Sequence, residues 1–148
     1  MLGVLHHAKN KMKCISEAVR FLKPGGILKI MVYSDFSSTG LMLWILHGFF
    51  KFKFFLSQEE IVFKYLESPG TKCYSNKEFK KILEGFSLEV KTIKKYAGSG
   101  DLLSMPPSKK YRDNNLFKIA KKIIPRFLIK KFENHFGILL TAKAIKIL

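Results

Sequence analysis

The sequence predicts an α/β fold, and three observations carry that reading. An apolar run at Leu2–Leu5, an amphipathic stretch from Asn10 to Leu22 and a second apolar run from Ile27 to Tyr33 form a strand–helix–strand crossover. That is the unit from which parallel sheets are built. The alternation resumes with a helix from Ser75 to Glu84 and a strand from Leu88 towards Tyr96. A composition of 47% hydrophobic and 14% aromatic residues over 148 positions suits one packed domain and excludes a disordered chain.

Leu2–Leu5 is continuously apolar, as a strand buried on both faces should be, and it runs into His6 and His7. In the following helix Met12, Ile15, Val19 and Leu22 recur at three- and four-residue steps and define one core face. Asn10 is placed to cap its start, Pro24 forbids its continuation, and Gly25-Gly26 allow a tight turn into the next strand. Ile27–Tyr33 is interrupted only by Lys29. Ser37–Gly40 reads as a loop and Leu41–Phe50 as an almost wholly apolar helix. A second helix starts at Ser57, which has capping-box spacing to Glu60, with Ile61, Val62, Tyr65 and Leu66 on its apolar face.

These two helices form an insertion or lid over residues 34–68, within a single domain spanning residues 1–148. Ser68–Thr71 is a turn. Ser75 and Glu78 repeat the capping-box spacing, Phe79, Ile82 and Leu83 form the helix face, and Gly85 ends it. Leu88, Val90 and Thr92 alternate with polar residues as in a half-buried strand. A loop over Gly98–Ser108 leads to two short basic helices, Asn115–Ile124 and Pro125–Phe136, and Gly137–Ile147 is a closing strand.

The 27 Lys+Arg against 11 Asp+Glu give a formal net charge of +16, with Arg only at 20, 112 and 126. Such a field attracts an anionic membrane surface, an acidic partner or nucleic acid. The scarcity of bidentate guanidinium groups argues against specific nucleic-acid recognition. A bias in the coding sequence towards Lys, Ile, Phe and Asn accounts for the charge equally well. Cys14 and Cys73 make neither a metal cluster nor a disulfide framework and read as reduced thiols of a cytoplasmic protein. The amino terminus lacks the pattern of a signal peptide. The apolar window from Gly40 to Phe50 is far shorter than the roughly 20 residues a membrane span needs.

His6 and His7 sit at the carboxyl end of a strand, where open α/β sheets bind their ligands. Adjacent strand residues point to opposite faces, so the pair does not suit a metal. Gly98-Ser99-Gly100 lacks the third glycine and following helix of a phosphate loop. His47 reads as a partly buried, satisfied residue and His135 as a surface or helix-capping one. The segment from Leu41 to Leu56, with Trp44, Phe49, Phe50, Phe52, Phe54 and Phe55, has three readings. It is core, a lid over an apolar substrate, or an interfacial membrane element.

Gly3-Val4-Leu5-His6-His7, the helix, and Arg20-Phe21-Leu22-Lys23-Pro24-Gly25-Gly26 before an apolar strand resemble the central part of class I S-adenosylmethionine (SAM)-dependent methyltransferases, the ubiquinone/menaquinone-type group above all. The start at Tyr74–Phe79 and the closing strand after Phe136-Gly137 resemble members with a carboxyl-terminal extension. The resemblance implies an incomplete Rossmann-like sheet of about four strands, the fourth to seventh of the family, with flanking helices and the apolar insertion. It implies SAM as cofactor and methyl transfer to a small, apolar acceptor.

In that family a glycine-rich loop after the first strand and an acidic residue after the second hold the cofactor, and neither is found in this sequence. Gly3, Val4 and Leu5 alone map onto the cofactor-facing edge, with His6 or His7 as general base where the acceptor must lose a proton. The expectation is therefore a truncated chain, inactive alone, that lacks an amino-terminal half or a complementing second chain. A reading from a different class is a non-catalytic basic module that binds an anionic membrane surface or a partner chain.

Overall fold

The computed structural model describes residues 5, 8–65, 72–102, 104 and 126–147. Helix α1 (Lys11–Phe21) is capped by Asn10, whose side chain accepts a hydrogen bond from Lys13 N at 2.9 Å. Ile15 and Val19 bury its core face, with Cys14, Ala18 and Leu22 packed at the margin, whereas Met12 lies exposed at the helix's first turn. The chain then turns through Pro24-Gly25-Gly26, with Gly25 at φ +74°, a left-handed conformation that favours glycine. Strand β1 (Ile27–Ser34) follows.

The turn is fastened to the far end of the chain. Gly25 N donates to Lys146 O at 3.0 Å, and Lys146 N donates to Gly26 O at 3.0 Å. The Lys146 ammonium donates to Val19 O at 3.0 Å and Leu22 O at 2.8 Å, covering the open carbonyls at the end of α1.

Helix α2 (Ser38–His47) begins three residues before the expected Leu41, because Ser37 is its cap and accepts from Gly40 N at 3.0 Å. The expected Ser37–Gly40 loop is thus the first turn of this helix. A short 3₁₀ turn (Phe49–Lys51) and helix α3 (Gln58–Tyr65) follow. The Ser57–Glu60 capping box forms in full: Glu60 N donates to Ser57 Oγ at 3.2 Å and Ser57 N to Glu60 Oε2 at 2.7 Å. A two-residue strand, β2 (Cys73–Tyr74), precedes helix α4 (Asn76–Glu84).

Ser75 caps α4 by accepting from Glu78 N at 3.1 Å, but the Glu78 carboxylate turns to Lys72 at 2.9 Å instead of closing the box. Ser75→Ala is expected to lower stability by about 1 kcal/mol, read as a shift in the urea midpoint at constant slope. Strand β3 (Leu88–Tyr96), helices α5 (Arg126–Lys131) and α6 (Glu133–Phe136), and strand β4 (Leu139–Lys146) complete the described residues. The expected Pro125–Phe136 helix is broken at Phe132, which takes non-helical angles. The expected helix Asn115–Ile124 lies outside the described residues.

The strands form one mixed sheet in the order β2-β1-β4-β3. β1 and β2 are parallel through Tyr33–Cys73 and Ser34–Tyr74, and β4 is antiparallel to both β1 and β3. Among the described residues four strands are present, but the set differs from the expected one. Cys73–Tyr74 is a strand that the sequence does not predict, and of the expected Leu2–Leu5 strand only Leu5 lies among the described residues. One face of the sheet presents Leu28, Ile30, Val32, Leu88, Leu140 and Ala144 to α1 and α4, where Ile15, Val19, Phe79 and Leu83 meet them. On the other face Ile27, Lys29, Thr92, Lys94 and Lys143 are exposed.

Candidate functional site

β1, β2 and β3 run in one direction, so their carboxyl ends and the start of β4 share one edge of the sheet. Open α/β sheets bind ligands at that edge. Ser34 ends β1 fully buried; its Oγ donates to Phe36 O at 3.1 Å and its N to Ile138 O at 2.8 Å. Asp35 N donates to Tyr74 O at 3.1 Å, and the Asp35 carboxylate stays 42% exposed. Its partner is Lys95, near the end of β3, whose buried ammonium lies 3.5 Å from Asp35 Oδ1 and donates to Phe36 O at 3.2 Å. A buried ammonium needs such acceptors, so Lys95 holds the β1 exit in one geometry. Beside Asp35, Phe36 exposes part of its ring and packs against Phe136 at 5.7 Å.

Behind this pair sits Asp101, with no exposed surface. Its Oδ1 accepts from Ser38 Oγ at 2.6 Å, Thr39 Oγ1 at 2.7 Å and Thr39 N at 2.8 Å. Its Oδ2 accepts from Ile138 N at 2.8 Å and Gly98 N at 2.9 Å. One carboxylate thereby ties the first turn of α2, the loop after β3 and the entry to β4. Gly137 fits this junction because a Cβ there would lie 2.4 Å from Tyr96 C and O. The glycine pair set aside as a phosphate loop is thus one arm of an internal clasp: the Gly98 amide serves Asp101.

Gly3, Val4, His6 and His7, singled out from the sequence, lie outside the described residues. Leu5 is 1% exposed within the hydrophobic core, and its carbonyl accepts from Ala8 N at 3.1 Å. His47 is buried between α2 and α3, stacked on Tyr65 with ring centroids 3.8 Å apart. Asp35, Lys95 and Asp101 were not recognised from the sequence. Asp35 carries one usable signal, an acid directly after an apolar strand; Asp101 and Lys95 carry none, because their partners are remote in the chain. Among the described residues, no group of three His, Cys, Asp or Glu side chains is placed to hold a metal ion.

This geometry has counterparts among solved structures. A chain from the complex of the Haloferax volcanii Trm112 methyltransferase activator with a protein designated a methyltransferase superposes with a TM-score of 0.55 at 15% identity. That match covers 99% of this chain and 52% of the other. A Thermotoga maritima SAM-dependent methyltransferase, described as a possible histamine N-methyltransferase, gives a TM-score of 0.53 at 12% identity over 99% of this chain and 54% of its own. The fold matches part of the Rossmann-like sheet of these two structures. The chain spans about half the length of these structures. No protein-family profile and no curated protein matches its sequence.

The described residues do not by themselves fit SAM. The buried Leu5 offers neither a side chain nor an unengaged turn carbonyl, and the Asp101 carboxylate is fully engaged by the protein. Asp35 with Phe36 can instead receive a ligand: a carboxylate able to accept a hydrogen bond from a hydroxyl or ammonium group, next to an aromatic surface.

Proposed function

We propose that this chain supplies the acceptor side of a SAM-dependent methyltransferase and that the cofactor-holding elements come from a further segment or a second chain. The observation that carries the reading is the sheet itself, with β4 laid antiparallel between β1 and β3 as part of a methyltransferase fold. The acceptor in this reading is a small molecule with an apolar body and a hydroxyl or amino group, received at the Asp35–Phe36 edge. His6 or His7 serves as general base only where the acceptor must lose a proton. Elsewhere, holding the acceptor in line and excluding water is the protein's main task. Dependence on a second chain has a loose parallel in the Haloferax protein, which was solved as a complex with an activator.

Titration calorimetry tests this directly. SAM added to the chain alone is expected to give no saturable binding in the low-micromolar range. Saturable binding by the chain alone overturns the proposal.

A further inference from the structure

The loop joining α2 to α3 displays phenylalanine where the fold has no use for it. Phe52 is 82% and Phe55 99% exposed, and Phe49 and Phe54 are each about half exposed. Exposed Leu41 and Ile45 on α2 continue the same surface at four-residue steps towards Phe49. A cluster of this kind on a soluble surface marks an interaction site.

The loop is held in shape rather than left slack. Lys53 N donates to Gly48 O at 2.8 Å, Phe52 N to Phe49 O at 3.1 Å, and the Trp44 indole N–H to Leu56 O at 2.8 Å. Phe52 takes a left-handed conformation at φ 53°, which is rare for an aromatic residue. The Phe54 ring stands edge-on to Phe49 at 5.6 Å and to Phe52 at 6.0 Å. The rings therefore stand out into solvent as a preformed, mutually packed cluster. Their mutual edge-to-face packing differs from the open platforms on which nucleobases stack.

Charge selects the partner. Lys51 and Lys53 alternate with the rings and are exposed, and no Asp or Glu occurs between Gly40 and Gln58. The Glu60 carboxylate is turned onto Ser57 N. No helix among the described residues is long and apolar enough to cross a membrane, so this element would lie on a bilayer, not span it. We propose that the loop over residues 49–55 seats the rings of Phe49, Phe52, Phe54 and Phe55 in the interfacial region of an anionic lipid leaflet, with Lys51 and Lys53 against the headgroups.

Co-sedimentation of the full chain with phosphatidylcholine–phosphatidylglycerol vesicles, and with phosphatidylcholine vesicles, tests the proposal. Binding is expected on the anionic vesicles and weakly or not at all on the neutral ones. Phe52→Ser with Phe55→Ser should lower partitioning by at least about tenfold. Lys51→Glu with Lys53→Glu should do likewise, while the charge-matched Lys13→Glu with Lys77→Glu should stay within about twofold of the wild type. Equal losses in both lysine pairs would mean that the net charge of +16 binds without the loop, and overturn the proposal.

A Phe55→Trp variant should be quenched by brominated lipids, and absence of quenching also overturns it. A lipid-free dimer that disappears in the double phenylalanine variant would assign the rings to a second copy of the chain instead. All the substituted side chains are exposed, so unchanged circular dichroism is expected throughout.

Discussion

Asp101→Ala is expected to lower the unfolding free energy by about 3–5 kcal/mol, the usual cost of leaving a buried charged network without one of its members. Five donors point at this one carboxylate. The Ser38 and Thr39 hydroxyls can turn elsewhere, but the amides of Gly98 and Ile138 belong to buried residues and stay unsatisfied. For a domain whose total stability is of order 5–15 kcal/mol, that is a large share.

Asp101→Asn keeps the shape and one acceptor oxygen, yet places an NH₂ against donors, so a smaller loss of about 2 kcal/mol is expected. Urea unfolding of the three proteins checks the order. If Asp101→Ala stays within about 0.5 kcal/mol of the wild type, the clasp does not hold the edge together. Because the clasp joins α2 to β4, hydrogen exchange in the Asp101→Ala chain should accelerate first at Thr39 and Ile138.

Phe79→Ala should be comparably damaging, at about 3–5 kcal/mol, through a different cause. Phe79 is the largest fully buried side chain among the described residues, sitting on α4 against the sheet with the ring of Tyr74 on β2 5.7 Å away. Removing the ring forfeits its transfer free energy and leaves a void within the close-packed core cluster to which Phe79 belongs. A melting temperature lower by about 10 °C is expected from the entropy scale of a chain this size. Phe79→Leu refills most of the space and should lose only about 1–1.5 kcal/mol. Equal losses for the two variants would show that shape at this position matters less than the ring's contact with Tyr74.

How legible each feature was depended on the chain distance its interactions span. The caps at Asn10, Ser57 and Ser75 involve partners three residues away, and each was readable from local spacing. Met12 broke the helix pattern because it occupies the first turn of α1, where no described neighbour covers it. β2 went unrecognised because two residues carry no periodicity; Cys73 and Tyr74 are a strand only through pairing with Tyr33 and Ser34. The start of α2 is not legible because the polar run Ser37-Ser38-Thr39 looks like a loop until Asp101 engages Ser38 and Thr39 from 63 and 62 positions away.

By itself, then, the sequence determined the α/β class, the Pro-Gly-Gly turn and the first half of the β3 alternation at Leu88 and Val90, which a bulge before Thr92 then breaks. All of these rest on steric and hydrogen-bonding preferences within a few residues. Only the tertiary structure decided that β4 enters between β1 and β3, that Lys146 closes α1 from 127 positions away, and that Asp101 gathers three segments behind the carboxyl edge of the sheet. Such contacts depend on which groups burial leaves in need of a partner, and that is settled when the sheet closes.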